Sequence, residues 1–259
     1  MDSQQALARQ LANLRRQGKQ QSGLAPELTP PDIDTAYRIA GQVAKALEWT
    51  VGGWKIAATN GEMQSALRTD APIYGRVFAK DILSTPVEVE HAALCSPIPE
   101  VEYQIRLGAD LPPREKPYDV DEVGDAMASI HPGIELAECR FIHDAQFPPL
   151  AAILADGAGS GKLVYGAPID NWRERDIAGQ EVVLYCNGEE RRRGTAAVAM
   201  EHPLVPLTWL ANELSRTSVG LKAGQLVSTG TLTGMLRPKA GDTYVADFGA
   251  LGQVTASYT

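Results

Sequence analysis

The hydrophobic residues of this chain change their spacing near residue 77, and this change restricts what the chain can fold into. Before that point the apolar residues recur at helical intervals, which predicts an amphipathic helix around Leu7, Leu11 and Leu14 and a second helix over 33–47. From residue 77 onward the period is two, and short strand-like runs are separated by Pro and Gly. The chain is therefore predicted to be an α+β protein with a mixed β-rich core and peripheral helices.

Later segments supply further elements of this core. Asn187-Gly188 separates two strand-like runs and predicts a type I′ hairpin. A helix is predicted over 203–214, with Pro near its first turn, and a strand over 133–141. Because the sequence contains no repeat and no convincing linker, we predict a single domain over 1–259, with a helical part at 1–80 and a β-rich core at 81–259.

The charge balance excludes one class of partner. The chain carries 24 Lys and Arg against 32 Asp and Glu, a formal net charge of -8, whereas binding to nucleic acid needs a dense basic surface. The longest apolar run, 150–155, is far shorter than the about 20 residues of a membrane span. With no readable secretory signal and three widely spaced cysteines, we expect a cytoplasmic protein with reduced thiols and no membrane partner.

Two glutamates lie two positions apart in the clearest strand. Glu100 and Glu102 therefore point to the same face of that strand, although the pattern alone favours a solvent-exposed pair. Glu135 lies in apolar sequence, and Glu138 is a rival on the opposite strand face. Converging carboxylates would form an all-oxygen site suited to magnesium or manganese, and the alternative for each acid is an ordinary surface position.

Three further segments contain groups that could act on a substrate. Lys55 lies in apolar sequence, and a structural ion pair and an acid near an anionic substrate are equally open interpretations. The small-residue loop 156–161 contains Ser160, and its amides could hold a carboxylate, but it matches neither a Walker nor a dinucleotide motif. The segment 228–234, which includes Ser228 and Thr231, collects hydroxyls in a pattern that is more often only a turn.

Several stretches, taken in order, carry a family resemblance. They are Val-Gly-Gly-Trp-Lys-Ile at 51–56, Glu-Val-Glu at 100–102, Gly-Ile-Glu-Leu-Ala-Glu-Cys-Arg at 133–140, Ala-Asp-Gly-Ala-Gly-Ser-Gly at 155–161, Arg-Gly at 193–194, His-Pro-Leu at 202–204, Trp-Leu-Ala-Asn at 209–212, Leu-Lys-Ala-Gly at 221–224, Thr-Gly-Thr-Leu-Thr-Gly at 229–234 and Ala-Asp-Phe-Gly-Ala-Leu-Gly at 246–252. Their order and spacing resemble the fumarylacetoacetate hydrolase superfamily, and more closely its 2-oxopent-4-enoate hydratase and 4-oxalocrotonate decarboxylase branch.

The resemblance implies a mixed β-roll, barrel-like fold with a divalent metal, Mg2+ or Mn2+. The implied ligands are Glu100, Glu102 and Glu135, because Glu135 rather than Glu138 matches the family position. The solvent-exposed interpretation of the first two acids is thereby reversed. The resemblance also implies a homo-oligomer.

The implied activity is that of a metal-dependent lyase in aromatic catabolism, acting on a small unsaturated 2-oxo or 2-hydroxy acid. Lys55 and Ser160 match positions that handle the substrate, and Ser160, Gly161 and Thr231 are the expected substrate-binding residues. A hydratase comes first and a decarboxylase is the alternative. A catalytically silent relative that keeps the fold for oligomerisation is a further alternative.

Two departures from the family pattern bear on this choice. Where hydratases of this kind often have Pro-Asp-Phe-Gly, this chain has Pro-Ile-Tyr-Gly at 72–75, so Ile73 replaces a candidate proton-transfer acid. The family loop Asn-Ala-Ser-Ser-Gly is here Gly-Ala-Gly-Ser-Gly at 157–161, which lacks one amide and one hydroxyl. The lost acid favours decarboxylation, which needs an electron sink and a later proton donor but no base for water.

Overall fold

The computed structural model describes residues 3–259, so the first two positions of the amino-terminal segment lie outside it. Its α-helices are α1 (Ser3–Gln17), α2 (Ile33–Leu47), α3 (Gly61–Leu67), α4 (Val120–Asp125), α5 (Leu150–Ala155) and α6 (Leu204–Arg216). Its strands are β1 (Val51–Ala57), β2 (Ile73–Phe78), β3 (Ile82–Ser84), β4 (Val87–Val89), β5 (Ile98–Leu107), β6 (Met127–Ala137), β7 (Lys162–Tyr165), β8 (Val182–Cys186), β9 (Glu189–Gly194), β10 (Leu226–Ser228), β11 (Thr243–Asp247) and β12 (Gln253–Tyr258).

The two helices expected near the amino terminus are both present. α2 begins after Asp32, whose Oδ1 accepts a hydrogen bond from the backbone N–H of Thr35 at 2.6 Å and so caps the helix. Leu7 and Leu11 of α1 are fully buried, and most of the apolar face of α2 is buried or half-buried, whereas Ile33 at the start of α2 is 43% exposed. These faces join α5 in an apolar cluster beside β2. The helical periodicity therefore predicted both the helices and the faces that they bury.

Seven strands form the larger sheet, in the order β2-β1-β10-β5-β6-β7-β3. β1 runs parallel to β10 and β3 parallel to β7, whereas the other neighbouring pairs are antiparallel. The sheet curls into a half barrel, which confirms the predicted α+β class with a barrel-like core. β5 and β6 lie at its centre, and nearly every residue of β5 is buried or half-buried on both faces.

Five strands form the second sheet, in the order β4-β12-β11-β8-β9. Its β8–β9 hairpin turns at Asn187 and Gly188, which have φ of 54° and 82°. Two successive positive φ values are the type I′ conformation that this dipeptide predicts. Apolar residues from both sheets and α6 form the main hydrophobic core.

The predicted division at residue 80 stays a prediction. β1 and β2 lie in the first part of the chain and yet belong to the larger sheet, where β1 pairs with β10 from the second part. Within residues 3–259, no helix combines the length and the apolar character that crossing a membrane requires.

Candidate functional site

Three glutamates meet at the centre of the curled sheet. β5 and β6 pair so that Glu100 lies directly opposite Glu135 and Glu102 lies opposite Gly133. Each of the three acids offers an oxygen, and these oxygens all lie within 4.8 Å of one another. Glu100, Glu102 and Glu135 are only 8%, 1% and 0% exposed. The solvent-exposed interpretation of the first two acids is therefore wrong, because both faces of this central strand are covered.

Neighbouring strands supply the groups around these carboxylates. Glu102 Oε2 accepts hydrogen bonds from Ser228 Oγ at 2.6 Å and from the Gly230 N–H at 2.8 Å. Lys55, on β1, is 2% exposed and its Nζ lies 3.7 Å from Glu135 Oε1. Within the described residues, neither oxygen of Glu135 has a hydrogen-bond partner. The site thus contains three buried acids and one nearby ammonium.

The electrostatics of this cluster favour a bound cation. Burial, followed by repulsion from Glu135, raises the pKa of Glu100 to about 7, although Lys55 opposes the rise. Burial and repulsion from both other acids raise the pKa of Glu102 well above its usual range. Burial also raises the pKa of Glu135. The donor set consists only of oxygens, and the two oxygens of Glu135 accept no hydrogen bond from the described residues. A hard divalent cation fits such an environment.

The raised pKa of Glu100 gives the stability of the metal-free protein a pH dependence. Between its ordinary value of 4.5 and about 7, the folded state binds a proton that the unfolded state has lost. This contribution to stability is complete below about pH 4.5 and is lost as the pH rises through about 7. Mg2+ should reverse the loss if these carboxylates are its ligands, since they would bind it in their ionised form.

We therefore expect Mg2+ to raise the melting temperature of EDTA-treated protein more at pH 8 than at pH 5.5, as measured by differential scanning calorimetry. Burial lowers the pKa of His131, which acts in the opposite direction. The comparison is therefore made with Glu100→Gln, which keeps the histidines and removes the contribution of Glu100, so that its Mg2+ effect should differ less between the two pH values. An Mg2+ effect that is equal at the two pH values in the wild-type protein would contradict this expectation.

The loop 156–161 is held by a buried ion pair. Arg140 Nε donates to Asp156 Oδ2 at 3.0 Å, and the backbone N–H of Arg140 donates to the same oxygen at 2.9 Å. Arg140 also donates from Nη2 to the Ser160 carbonyl at 2.9 Å. Arg15 of α1 contacts Asp156 as well. The small residues of this loop therefore have a defined position although they lack large side chains of their own.

This loop passes close to Lys55. A Cβ added at Gly159 would lie 3.7 Å from Lys55 Nζ, and one added at Gly161 would collide with the Leu136 carbonyl. The Ser160 hydroxyl donates to the Arg76 carbonyl at 2.6 Å, so a role in substrate binding would use its acceptor lone pairs. The assignment of Lys55, Ser160 and Gly161 to the substrate stays a prediction.

Two other residues from the sequence lie outside the acidic cluster. Glu138 follows β6, because the strand ends at Ala137 and not at Phe141 as predicted. Its Oε2 accepts from the Cys95 N–H at 3.0 Å. Thr231 Oγ1 accepts from the Gly234 N–H at 3.1 Å and so closes its own turn. The expected contact of Thr231 with substrate also stays a prediction.

The position of the missing family acid is apolar. Ile73 is 4% exposed and packs in the cluster formed by the amino-terminal helices. Ser228, which belongs to the hydroxyl-rich segment seen in the sequence, bonds to Glu102, whereas sequence reasoning passed over Gln104, the next inward position on β5. The strand period that grouped Glu100 with Glu102 would have included Gln104.

Comparisons with known proteins agree with this fold. Residues 86–258 match the family described as Fumarylacetoacetate (FAA) hydrolase C-terminal. The chain is 31% identical over 258 residues to a 2-keto-4-pentenoate hydratase of Burkholderia vietnamiensis, covering 98% of this chain and 97% of that protein. It is 27% identical over 238 residues to a 4-oxalocrotonate decarboxylase of Pseudomonas putida, covering 90% and 87%.

Among solved structures, the 4-oxalocrotonate decarboxylase from Pseudomonas putida G7, complexed with magnesium and adipate, superposes with a TM-score of 0.90. The two chains are 22% identical, and the superposition covers 99% of this chain and 97% of that one. The resemblance first read from the motifs is confirmed. Since the match extends over most of the chain in both sequence and fold, this protein belongs to the fumarylacetoacetate hydrolase family.

Proposed function

We propose that this protein is a metal-dependent lyase acting on a small unsaturated 2-oxo acid, with hydration of 2-oxopent-4-enoate as its reaction. The observation that carries the proposal is the set of three converging, buried carboxylates beside Lys55. The full-length similarity to a 2-keto-4-pentenoate hydratase supports the same substrate class.

Glu100, Glu102 and Glu135 would hold the cation, Mg2+ or Mn2+. When bound there, such a cation supplies Lewis acidity for a 2-oxo acid and stabilises the enolate form of the substrate. The protein contributes a dry setting, because all three acids are buried. Ser228 and the Gly230 amide keep Glu102 oriented through two hydrogen bonds.

Lys55 is the group placed to move a proton. Addition of water at C4 requires a double bond conjugated with the 2-oxo group, so a proton must first leave C3 and another must reach C5. The water then gives its oxygen to C4, and a proton returns to C3. Lys55 Nζ lies against the acidic cluster, and the loop at Gly159 passes close to it. A buried ammonium in this position can hold a proton near the substrate carbons and release it.

A decarboxylase is the second candidate, and the observation that favours it is the apolar setting of Ile73. Loss of CO2 from a 2-oxo dicarboxylic acid needs electron withdrawal and then a proton donor. It needs no base that activates water. Lys55 could supply that proton without help from an acid at position 73. The similarity to a 4-oxalocrotonate decarboxylase supports this alternative.

The deciding experiment presents both substrates to the same preparation with Mg2+. The proposal expects consumption of the conjugated 2-hydroxydienoate with addition of water, followed by ultraviolet absorbance and mass spectrometry. Release of CO2 from the corresponding 2-oxo dicarboxylic acid, without hydration, would favour the decarboxylase. No turnover of either acid, together with no Mg2+ or Mn2+ binding by calorimetry, would identify a catalytically silent relative. The homo-oligomer and the cytoplasmic location stay predictions.

A further inference from the structure

Gln104 lies on the face of β5 that carries the site glutamates. It is two positions beyond Glu102, and residues two apart on a strand share a face. Its cross-strand neighbours are Ser228 on β10 and His131 on β6. Through Ser228 the same row continues to Lys55 on β1. Gln104 therefore occupies a row that leads directly into the site.

The amide of Gln104 is buried and makes no hydrogen bond to any residue that the structure describes. The residue is 0% exposed, and neither its Oε1 nor its Nε2 has a hydrogen-bond partner among residues 3–259. Burying an amide in this way costs free energy, which leucine or methionine would avoid at a purely structural position. The amide thus has a free donor and a free acceptor inside the protein.

The polar neighbours of Gln104 are already engaged. Ser228 Oγ donates to Glu102 at 2.6 Å. The ring of His131 bonds to Ser129 Oγ and to the Gly166 carbonyl, both at 2.8 Å. These hydrogen bonds are formed without the Gln104 amide.

Because Gly133 has no side chain, it leaves space for the Gln104 amide. A Cβ added at Gly133 would collide with Gln104 Cδ and would lie 2.6 Å from Nε2. Gly133 pairs with Glu102 and shares a strand face with Glu135, two residues later. The Gln104 side chain therefore occupies the space above Gly133. This space lies next to Glu102 and beside the acidic cluster.

We propose that Gln104 is a ligand-binding residue of this site, whose Nε2–H donates a hydrogen bond to an oxygen of the small acid held there. The inference rests on the proposed function, because it assumes that a 2-oxo acid binds at the glutamates, where the amide can donate to it. A neutral amide suits the position. It offers a donor to an anionic ligand without adding a further fixed positive charge to Lys55 and to the cation that the glutamates would bind.

The test uses oxalate, a small dicarboxylate that mimics an enolate, in isothermal titration calorimetry with saturating Mg2+. Gln104→Met keeps the length of the side chain and removes its hydrogen-bonding groups. It should weaken oxalate binding by about tenfold to a hundredfold, the loss expected for a hydrogen bond to a charged ligand. Affinity for Mg2+ alone should stay within about threefold, and the metal-free variant should melt no lower than wild type, since an unpartnered polar group is gone.

The matched control is Tyr103→Phe, which removes another buried, unpartnered polar atom from the opposite face of the same strand. It should leave oxalate affinity unchanged. Gln104→Asn keeps an amide on a shorter side chain and should also bind oxalate more weakly. It replaces the methionine variant in the test if that variant does not fold.

Unchanged oxalate affinity in the Gln104 variants would overturn the inference and leave the proposed function standing, provided that wild type binds oxalate only with Mg2+. Wild-type protein that binds no oxalate in the presence of Mg2+ would overturn both.

Discussion

Glu102→Gln is expected to abolish tight binding of a divalent cation and metal-dependent turnover while the fold survives. The amide has nearly the volume of the carboxylate, and its oxygen can still accept from Ser228 and from Gly230. The substitution removes, however, the negative charge from one of the three proposed oxygen ligands. The loss of Mg2+ affinity should exceed the roughly 10- to 100-fold loss that follows removal of a residue hydrogen-bonded to a metal ligand. Calorimetric titration with Mg2+ measures it directly.

The matched control is the same substitution at Glu138, which contacts Cys95 and Arg140 and lies outside the acidic cluster. Glu138→Gln should bind Mg2+ as wild type does. Without metal, Glu102→Gln should melt at least as high as wild type, because burial and repulsion from the other two acids raise the pKa of Glu102 and so disfavour its charged form, which the amide cannot adopt. Undiminished Mg2+ affinity in Glu102→Gln would remove Glu102 from the ligand set, and an unfolded variant would indicate a structural role.

Lys55→Met is expected to lower the turnover number by roughly two to four orders of magnitude, the usual contribution of a positioned general acid–base group. Methionine preserves most of the apolar stem in this fully enclosed position and removes only the ammonium. An ammonium is not a metal ligand, so affinity for Mg2+ should fall little. Steady-state kinetics on the substrate that the wild-type protein consumes provides the measurement.

The competing interpretation is that Lys55 merely compensates Glu135, 3.7 Å away. Loss of one partner of a buried ion pair costs about 3–5 kcal/mol of stability. The two interpretations separate with Mg2+ present, because a bound cation replaces the missing positive charge. A variant that melts normally with Mg2+ and turns over slowly supports the proton-transfer role. Near-normal turnover in a stable variant would contradict it. Lys222→Met is the control, because it makes the same substitution at an exposed lysine that pairs with Asp110. Its turnover should equal that of wild type.

The α+β class and several elements could be predicted because their causes are local. Asp32 caps α2 through a hydrogen bond to a residue three positions away, and Asn187-Gly188 sets the β8–β9 turn by its own backbone preferences. The end of β6 could not be predicted in this way. The strand stops at Ala137 because the following residues bond to the loop that contains Asp156 and Gly159, about 20 residues further along the chain.

For the site, the sequence by itself determined that Glu100 and Glu102 share a face, since the side-chain period of a strand is a property of its own backbone. Tertiary structure decided that this face is buried, that Glu135 lies opposite Glu100, and that Lys55 approaches from a strand two places away in the sheet. It also left the Gln104 amide without a hydrogen-bond partner in the described part of the chain, 3–259. The physical reason is that register and strand order depend on contacts between distant segments. Local periodicity therefore predicts which side chains share a strand face, but the pairing and curling of the sheet determine which other residues these side chains contact.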